Sequence, residues 1–530
     1  MKLLVDSGAS KNYIRHVEGL EYTPVVKVFS VNSIHGSNRV ERKCSIDIFG
    51  TRSSFFLLPH LAKFDGIIGL DLLKDSNCVI DLRQGIISYD NGEERLQFTS
   101  CVDVNHTDAE QDEIPVIIKR QLKSLLEENK GVFADPDEAL PYNTSVVATI
   151  QTVDDNPVYS KLYPYPVGLS EFVNKEIKEL VENGIIRPST SPYNNPIWVV
   201  NKKGCDDQGN QKRRLVIDFR KLNLKTLDEK YPVPDINNIL SNLEGATYFT
   251  KLDLKSGFHQ ILLREKDREK TAFSINNAKF EFCRLPFGFK NAPGIFQRAI
   301  DDVLREKIGA FVYVYIDDII IFSKTAEDHL NHIAWVMKCL HQANMRVSSE
   351  KSEFFKPQVE YLGFIVSREG IRTCPEKVAA IKNFPEPSNL FEVRSFLGLA
   401  SYYRRFIKDF ATIAKSLTNI LKGEHGSVSS SRSKGVKICL DEEQREAFHR
   451  LRQILSSSDV ILPYPDFGKP FELTTDASAK GLGAVLSQEG KPITMISRAL
   501  TEGEANFATN EREMLAIVWA LKKLGDICMV

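Results

Sequence analysis

The stretch Phe311 to Phe322, F-V-Y-V-Y-I-D-D-I-I-I-F, constrains this chain more than any other. An apolar, β-branched and aromatic run of this kind reads as two buried strands. The pair Asp317-Asp318 at its centre reads as the hairpin turn between them. Taken alone, two aspartates at a hairpin tip need no function, because Asp is an ordinary turn residue. The apolar flanks change the balance. They imply a partly desolvated tip, where two like charges repel and lose hydration unless a cation sits between them. A divalent metal is the simplest such cation.

A third carboxylate joins the pair. Asp253 lies in Y-F-T-K-L-D-L-K-S-G-F-H-Q-I, on an apolar-polar strand before a glycine. By itself a strand-end aspartate is an ordinary cap or turn residue. Placed on adjacent strand ends, Asp253, Asp317 and Asp318 form the ligand set for two Mg2+ ions roughly 3.5–4 Å apart. In the phosphoryl transfer such a site performs, the protein positions the reactants and neutralises charge.

Bulk properties narrow the rest. The 530 residues suggest about three or four domains. Formal net charge is −1, so any nucleic-acid footprint must be local. One such footprint is visible: residues 201–225 hold eight Lys/Arg against three Asp, with Gly204 and Gly209 marking a mobile loop. Alone, a charge run of this kind reads as a solvated loop. Nine cysteines without a C-x-x-C pair give no zinc site and fit free thiols. No run of about 18 apolar residues occurs, so no membrane partner is expected.

Punctuation divides the chain. Residues 1–95 read as short strands between glycines, a small all-β unit. Residues 96–145 are acidic and mixed, a connector with one helical stretch. Residues 146–367 alternate irregularly in an α+β pattern, and 368–425 are helical. Residues 426–467 begin with G-S-V-S-S-S-R-S-K-G and read as a Ser-rich linker and tether. Residues 468–530 return to strands and end in a helix.

The motifs Y-I-D-D, L-D-L-K-S-G-F-H-Q-I, L-V-I-D-F-R-K-L-N and L-P-F-G-F-K-N-A-P-G-I-F-Q together resemble a reverse transcriptase. With S-P-Y-N-N-P-I-W-V-V-N-K-K and Y-L-G-F-I-V, the chain resembles the Pol polyprotein of Gypsy-type LTR retrotransposons, in family order through essentially its whole length. The resemblance implies a right-hand polymerase, with fingers and palm in 146–367 and a thumb in 368–425. It makes Asp253, Asp317 and Asp318 the catalytic and metal-binding triad. It makes Phe258 the aromatic gate that excludes a 2′-hydroxyl, and Arg214 and Lys203 the fingers residues that meet the triphosphate. Phe287 and Gly288 would contact nucleotide and template. Tyr361-Leu362-Gly363 would grip the primer, and Lys351 would be a general acid toward pyrophosphate, although a surface lysine is more commonly a salt-bridge partner. The implied partners are a primed RNA or DNA template and deoxynucleoside triphosphates. The implied location is cytoplasmic, in a virus-like particle, with the nucleus as the alternative.

Both ends carry further acidic motifs. Leu3-Leu4-Val5-Asp6-Ser7-Gly8, followed by Ile67-Ile68-Gly69, resembles a retropepsin-like aspartic protease acting on polyprotein. That chemistry needs two carboxylates sharing a proton, so a single Asp6 requires a homodimer. Ser30–Asn38 would be the flap. Only five residues precede Asp6, which argues against activity of the chain as written. Thr474-Thr475-Asp476-Ala477-Ser478 with Glu513 resembles the start of an RNase H domain, in which Asp476 and Glu513 would be metal-binding catalytic residues. This α/β domain is expected to be incomplete and inactive. Two other readings stay open: a non-catalytic nucleic-acid-binding remnant, and an aspartic protease with the rest as scaffold.

Overall fold

In a computed structural model the chain forms two compact units, residues 1–112 and 113–530. The structure describes residues 3–5, 12–14, 23–33, 36–48, 51–57, 66–68, 70–75, 79–81, 86–89 and 94–97 of the first unit. In the second it describes 115–528, apart from 136–137, 206–210, 276–277, 423–427, 429–431 and 458–459.

Within the first unit, six strands form one sheet, with Leu3–Val5 parallel to Gly66–Ile68 at one edge. The long hairpin Thr23–Ser33 and Gly36–Ile48 forms the other edge and spans most of the stretch read as a flap. Strands Val79–Asp81, Ile86–Tyr89 and Glu94–Gln97 form a second sheet. Phe55, Leu72 and Cys44 are buried. Leu72 belongs to a short helix, Leu70–Asp75, so the described residues are mainly rather than wholly β.

The second unit is organised around a four-stranded antiparallel sheet. Its order is Val312–Tyr315, Asp318–Ser323, Tyr248–Asp253, Glu353–Lys356. Successive strand residues point to opposite faces, and here both faces are covered. Ile319, Ile321 and Leu252 pack with Ile295, Ile333 and Val336 of helices Ala292–Leu304 and Ala326–Gln342. Ile320, Phe322 and Phe249 pack the other way, against Tyr361, Phe364 and Phe396. Two-sided burial explains why the run is continuously apolar instead of alternating. Thr325 caps helix Ala326–Gln342 by accepting from Asp328 N–H, and Glu327 and Asp328 complement its dipole.

Ahead of this sheet stand the hairpin Ile197–Cys205/Gln211–Ile217 and a three-stranded sheet of Ile186–Pro188, Ala278–Phe282 and Phe273–Ile275. Two stretches differ from the sequence reading. The second half of the 96–145 connector is integral: helix Val116–Glu128 buries Ile118, and Val132 is fully buried in the same core. The 426–467 tether contains helix Glu442–Ser457, whose Ala447, Phe448, Leu451 and Leu455 pack with helix Leu390–Tyr402. Apolar residues recurring at three- and four-residue intervals form a helical stripe, and that stripe outweighs the flexible composition before it.

Residues 472–499 form a three-stranded meander, Glu472–Ala477, Gly481–Gln488 and Lys491–Ala499. Helix Thr509–Lys523 covers it through Ala516, with Leu515 and Trp519 packed alongside Leu482 and Leu500. Among the described residues, no helix is long and apolar enough to cross a membrane.

Candidate active site

The strand register brings two of the predicted carboxylates face to face. Asp253 stands directly opposite Asp318 on antiparallel strands. Tyr315 faces Asp318 from the other neighbour, so the two-residue turn is Ile316-Asp317 and Asp318 opens the strand. The turn thus lies one residue earlier than the sequence suggests. The reason is Ile316, which adopts φ +57°. A β-branched residue there is a genuine outlier, costing on the order of 1–3 kcal/mol. Buried Gln297 holds it: Ile316 N–H donates to Gln297 Oε1 at 2.6 Å, and Gln297 Nε2 donates to Asp301 Oδ1 at 2.8 Å and Val314 O at 3.2 Å. Helix Ala292–Leu304 therefore fixes the tip, leaving Asp317 exposed and Asp318 half-buried.

The electrostatics follow from that crowding. Burial pushes the Asp318 carboxyl above the usual carboxylate range, and the negative charges of Asp317 and Asp253 add to the rise, while Lys251 opposes it. Lys251 Nζ lies 3.6 Å from Asp318 Oδ1, and Lys351 Nζ lies 3.4 Å from Asp253 Oδ1. Buried Tyr361 donates its hydroxyl to Asp318 O at 3.4 Å. Three anionic oxygen-only side chains at one sheet end suit a hard divalent cation. Among the described residues, however, no three His, Cys, Asp or Glu side chains are gathered closely enough to hold an ion together.

A second group assembles from three separate segments. The Arg214 guanidinium lies 4.4 Å over the Phe287 ring. Phe287 packs on Phe258 at 4.9 Å between centroids, and Phe258 meets Phe296 edge-on at 5.4 Å. Phe258 sits on the short turn Gly257–Gln260, and a Cβ at Gly257 would stand 2.9 Å from Phe296 Cζ. Gly288 has φ +85°, and its carbonyl accepts from Asn223 Nδ2 at 2.9 Å. Asn291 holds the N-cap position of helix Ala292–Leu304, but its side chain donates to Leu227 O instead of capping. Lys203 is on strand Ile197–Cys205, and its side chain lies outside the described residues.

Tyr361 precedes a tight turn, with Leu362 at φ +47° and Gly363 at +73°. Tyr403 Oη donates to Gly363 O at 2.8 Å, and Tyr402 Oη donates to Leu362 O. Asp476 is exposed on strand Glu472–Ala477, opposite Gly483. Glu513 is half-buried on the helix packed against that strand. Asp6, Ser7 and Gly8 lie outside the described residues. Sequence reasoning missed Lys251 and Gln297. Period two along the strand already puts Lys251 on the face of Asp253, whereas nothing local marks Gln297.

The family model described as reverse transcriptase (RNA-dependent DNA polymerase) matches residues 200–366. The one described as an RNase H-like domain found in reverse transcriptase matches 440–529, so it begins well before residue 468. Over 527 residues the chain is 59% identical to the Retrovirus-related Pol polyprotein from transposon gypsy of Drosophila melanogaster, covering 99% of this chain and 51% of that protein. The chain belongs to the Gypsy-type Pol polyproteins. The Retrovirus-related Pol polyprotein from transposon opus of Drosophila melanogaster is 48% identical over 475 residues, covering 89% of this chain and 47% of that protein. The chain thus spans about half the length of the curated Pol relatives it matches. Its fold is similar to the foamy viral protease-reverse transcriptase dRH in complex with double-stranded DNA, with TM-score 0.69, 23% identity, and 100% and 88% of the two chains covered. A foamy viral protease-reverse transcriptase with double-stranded DNA gives 0.68 at 26% identity, over 79% and 85%. This Gypsy-type Pol chain therefore carries a reverse transcriptase domain and an RNase H-like domain, and reverse transcriptases depend on divalent metal.

Proposed function

We propose that the second unit adds deoxynucleotides to a primer 3′-hydroxyl under direction of an RNA or DNA template, releasing pyrophosphate, with two Mg2+ ions at Asp253, Asp317 and Asp318. The observation that carries this reading is the register that sets Asp253 opposite Asp318, with Asp317 on the adjoining turn. When bound, such ions lower the pKa of the attacking hydroxyl and neutralise the departing phosphates. Asp253 and Asp318 hold that charge at a fixed strand end. Arg214, stacked on Phe287, presents a guanidinium where an incoming triphosphate needs a cation. Phe258, wedged between Phe287 and Phe296, presents a ring edge against the sugar. Tyr361-Leu362-Gly363, tied to Tyr402 and Tyr403, supports the primer strand. The fold neighbours, foamy viral protease-reverse transcriptases in complex with double-stranded DNA, support a nucleic-acid duplex as partner.

For the first unit we propose a retropepsin-like fold, with Asp6 from each of two chains forming the carboxylate dyad that cuts polyprotein. The strand before Asp6, paired in parallel with Gly66–Ile68, supports it. Asp476 and Glu513 are proposed as metal ligands of the RNase H-like domain, and Lys351 as a general acid toward pyrophosphate. The polymerase reading is tested by primer extension with Mg2+. Asp317→Asn or Asp318→Asn is expected to abolish extension while leaving primer–template affinity within about twofold. Undiminished extension by either variant would sink the metal assignment.

A further inference from the structure

Two lysines share the predicted metal site, and they differ in how they are held. Lys351 is a surface residue with 69% of its side chain exposed, and its contact with Asp253 is the kind of exposed pair that contributes little. Lys251 is rooted mid-strand. Its side chain is 22% exposed, it lies between Phe249 and Asp253 on their strand face, and Ile320 stands opposite it. Its ammonium reaches Asp318 Oδ1 at 3.6 Å. On its other side the register places Glu353 directly opposite Lys251. Directly paired residues of adjacent strands lie about 4.5–5.5 Å apart at Cβ, within easy reach of a lysine. Lys251 is thus a built-in cation that pairs with one carboxylate of the predicted metal set, Asp318, and has a second, Glu353, as its strand partner beside an irregularity in the pairing.

We propose that Lys251 is a positioning residue of the polymerase centre, a resident counter-ion that neutralises Asp318 before metal arrives. When a divalent cation takes that carboxylate, the ammonium swings toward Glu353. This rests on the polymerase reading above and adds a step to it. Three carboxylates cannot share one strand end without a compensating charge. A short, hydrated lysine head on a flexible stem can supply that charge and then withdraw, which a rigid, bidentate arginine does less readily. Loading is then an exchange of one cation for another, so the protein trades metal affinity for a site that keeps its shape while empty. No covalent step is involved.

The test uses the whole chain without nucleic acid and Mg2+ alone as probe, reading the midpoint of Mg2+-dependent thermal stabilisation. Lys251→Met leaves the empty site one charge more negative, so the Mg2+ midpoint is expected to fall roughly five- to tenfold. Glu353→Gln removes the place to which the ammonium withdraws, so the midpoint is expected to rise. In an Asp318→Asn background, Lys251→Met is expected to have no further effect, because the pair is already broken. A merely structural lysine would lower the melting temperature without moving these midpoints in opposite directions. An unmodified chain with no Mg2+ response and no primer extension would defeat the polymerase reading itself. A normal Mg2+ response, with unchanged midpoints in Lys251→Met and Glu353→Gln, would overturn only the counter-ion role.

Discussion

Phe258 owes its orientation to two other rings, Phe287 on one side and Phe296 on the other. A side chain clamped in this way can discriminate by shape, because it cannot swing aside at little cost. Phe258→Ala is expected to relax sugar discrimination by roughly 10- to 200-fold, the range that a missing steric contact commands. Single-nucleotide incorporation with matched ribo- and deoxyribonucleotides measures this, and an unchanged ratio would count against the gate. At this scale the sequence was partly legible. Asp253 and Asp318 were recognisable as strand-end carboxylates, and their register agrees. The turn that leads into Asp318 lies one residue earlier than the sequence suggests because Ile316 takes a backbone conformation that β-branched residues avoid. What makes that conformation tolerable is Gln297, 19 positions upstream on a different element, and no local rule sees so far.

At the scale of elements, helix Ala326–Gln342 is fastened to the sheet by polar groups as well as by its apolar stripe. His329, fully buried, bonds Thr250 Oγ1 at 2.9 Å and Ser323 Oγ at 2.7 Å. Ser323 Oγ also meets His332 Nδ1 at 2.7 Å, and Thr250 Oγ1 accepts from Phe355 N–H at 3.0 Å. One imidazole thereby ties three of the four strands to the helix behind the carboxylates. Its buried site favours the neutral ring: burial, with a smaller push from His332, lowers its pKa to about 3. In the unfolded chain a histidine takes up its proton near pH 6.5. Between those values the unfolded state binds one more proton, so stability is complete above about pH 6.5 and falls as pH drops toward 3. The expected contribution is about 1.4 kcal/mol per pH unit. Urea denaturation at pH 7, 6 and 5 should show His329→Gln with a shallower dependence than the unmodified chain, and equal slopes would exclude this role. None of the network was predicted, because it joins hydroxyls and a ring from elements far apart in sequence. Helix Glu442–Ser457 was missed for a different reason. Its stripe Ala447, Phe448, Leu451, Leu455 stands in plain view, but the serine-rich run before it suggested a tether.

Across the second unit, the RNase H-like sheet is docked directly onto the residues that follow helix Leu390–Tyr402. Arg404 donates to Ser497 O, Ala411 N–H donates to Ser497 Oγ at 2.9 Å, and Lys415 Nζ donates to Lys480 O at 3.0 Å. Two glycines make the approach possible. A Cβ at Gly481 would stand 2.8 Å from Thr412 Oγ1, and one at Gly483 would run into the Asp409 carboxylate. Gly483→Ala is therefore expected to destabilise the docked sheet by about 1–3 kcal/mol. Differential scanning calorimetry should then resolve an earlier transition for the C-terminal region, and Asp409→Gly should restore it by clearing the space. A single unshifted transition in Gly483→Ala would show that the contact carries no weight. Domain order was legible from motifs. The docking was not, because glycines at a crowded interface look the same in sequence as glycines in a turn.

That glycine contact has a geometric consequence. With side chains gripping backbone across the junction, the separation between Asp318 and Asp476 is set by folded contacts and not by the reach of a flexible string. Under the proposed function, a duplex lying along this unit would be gauged against two fixed marks. A side chain at Gly483, the strand partner of Asp476, would move the second mark and so change a measured length while leaving the first mark in place.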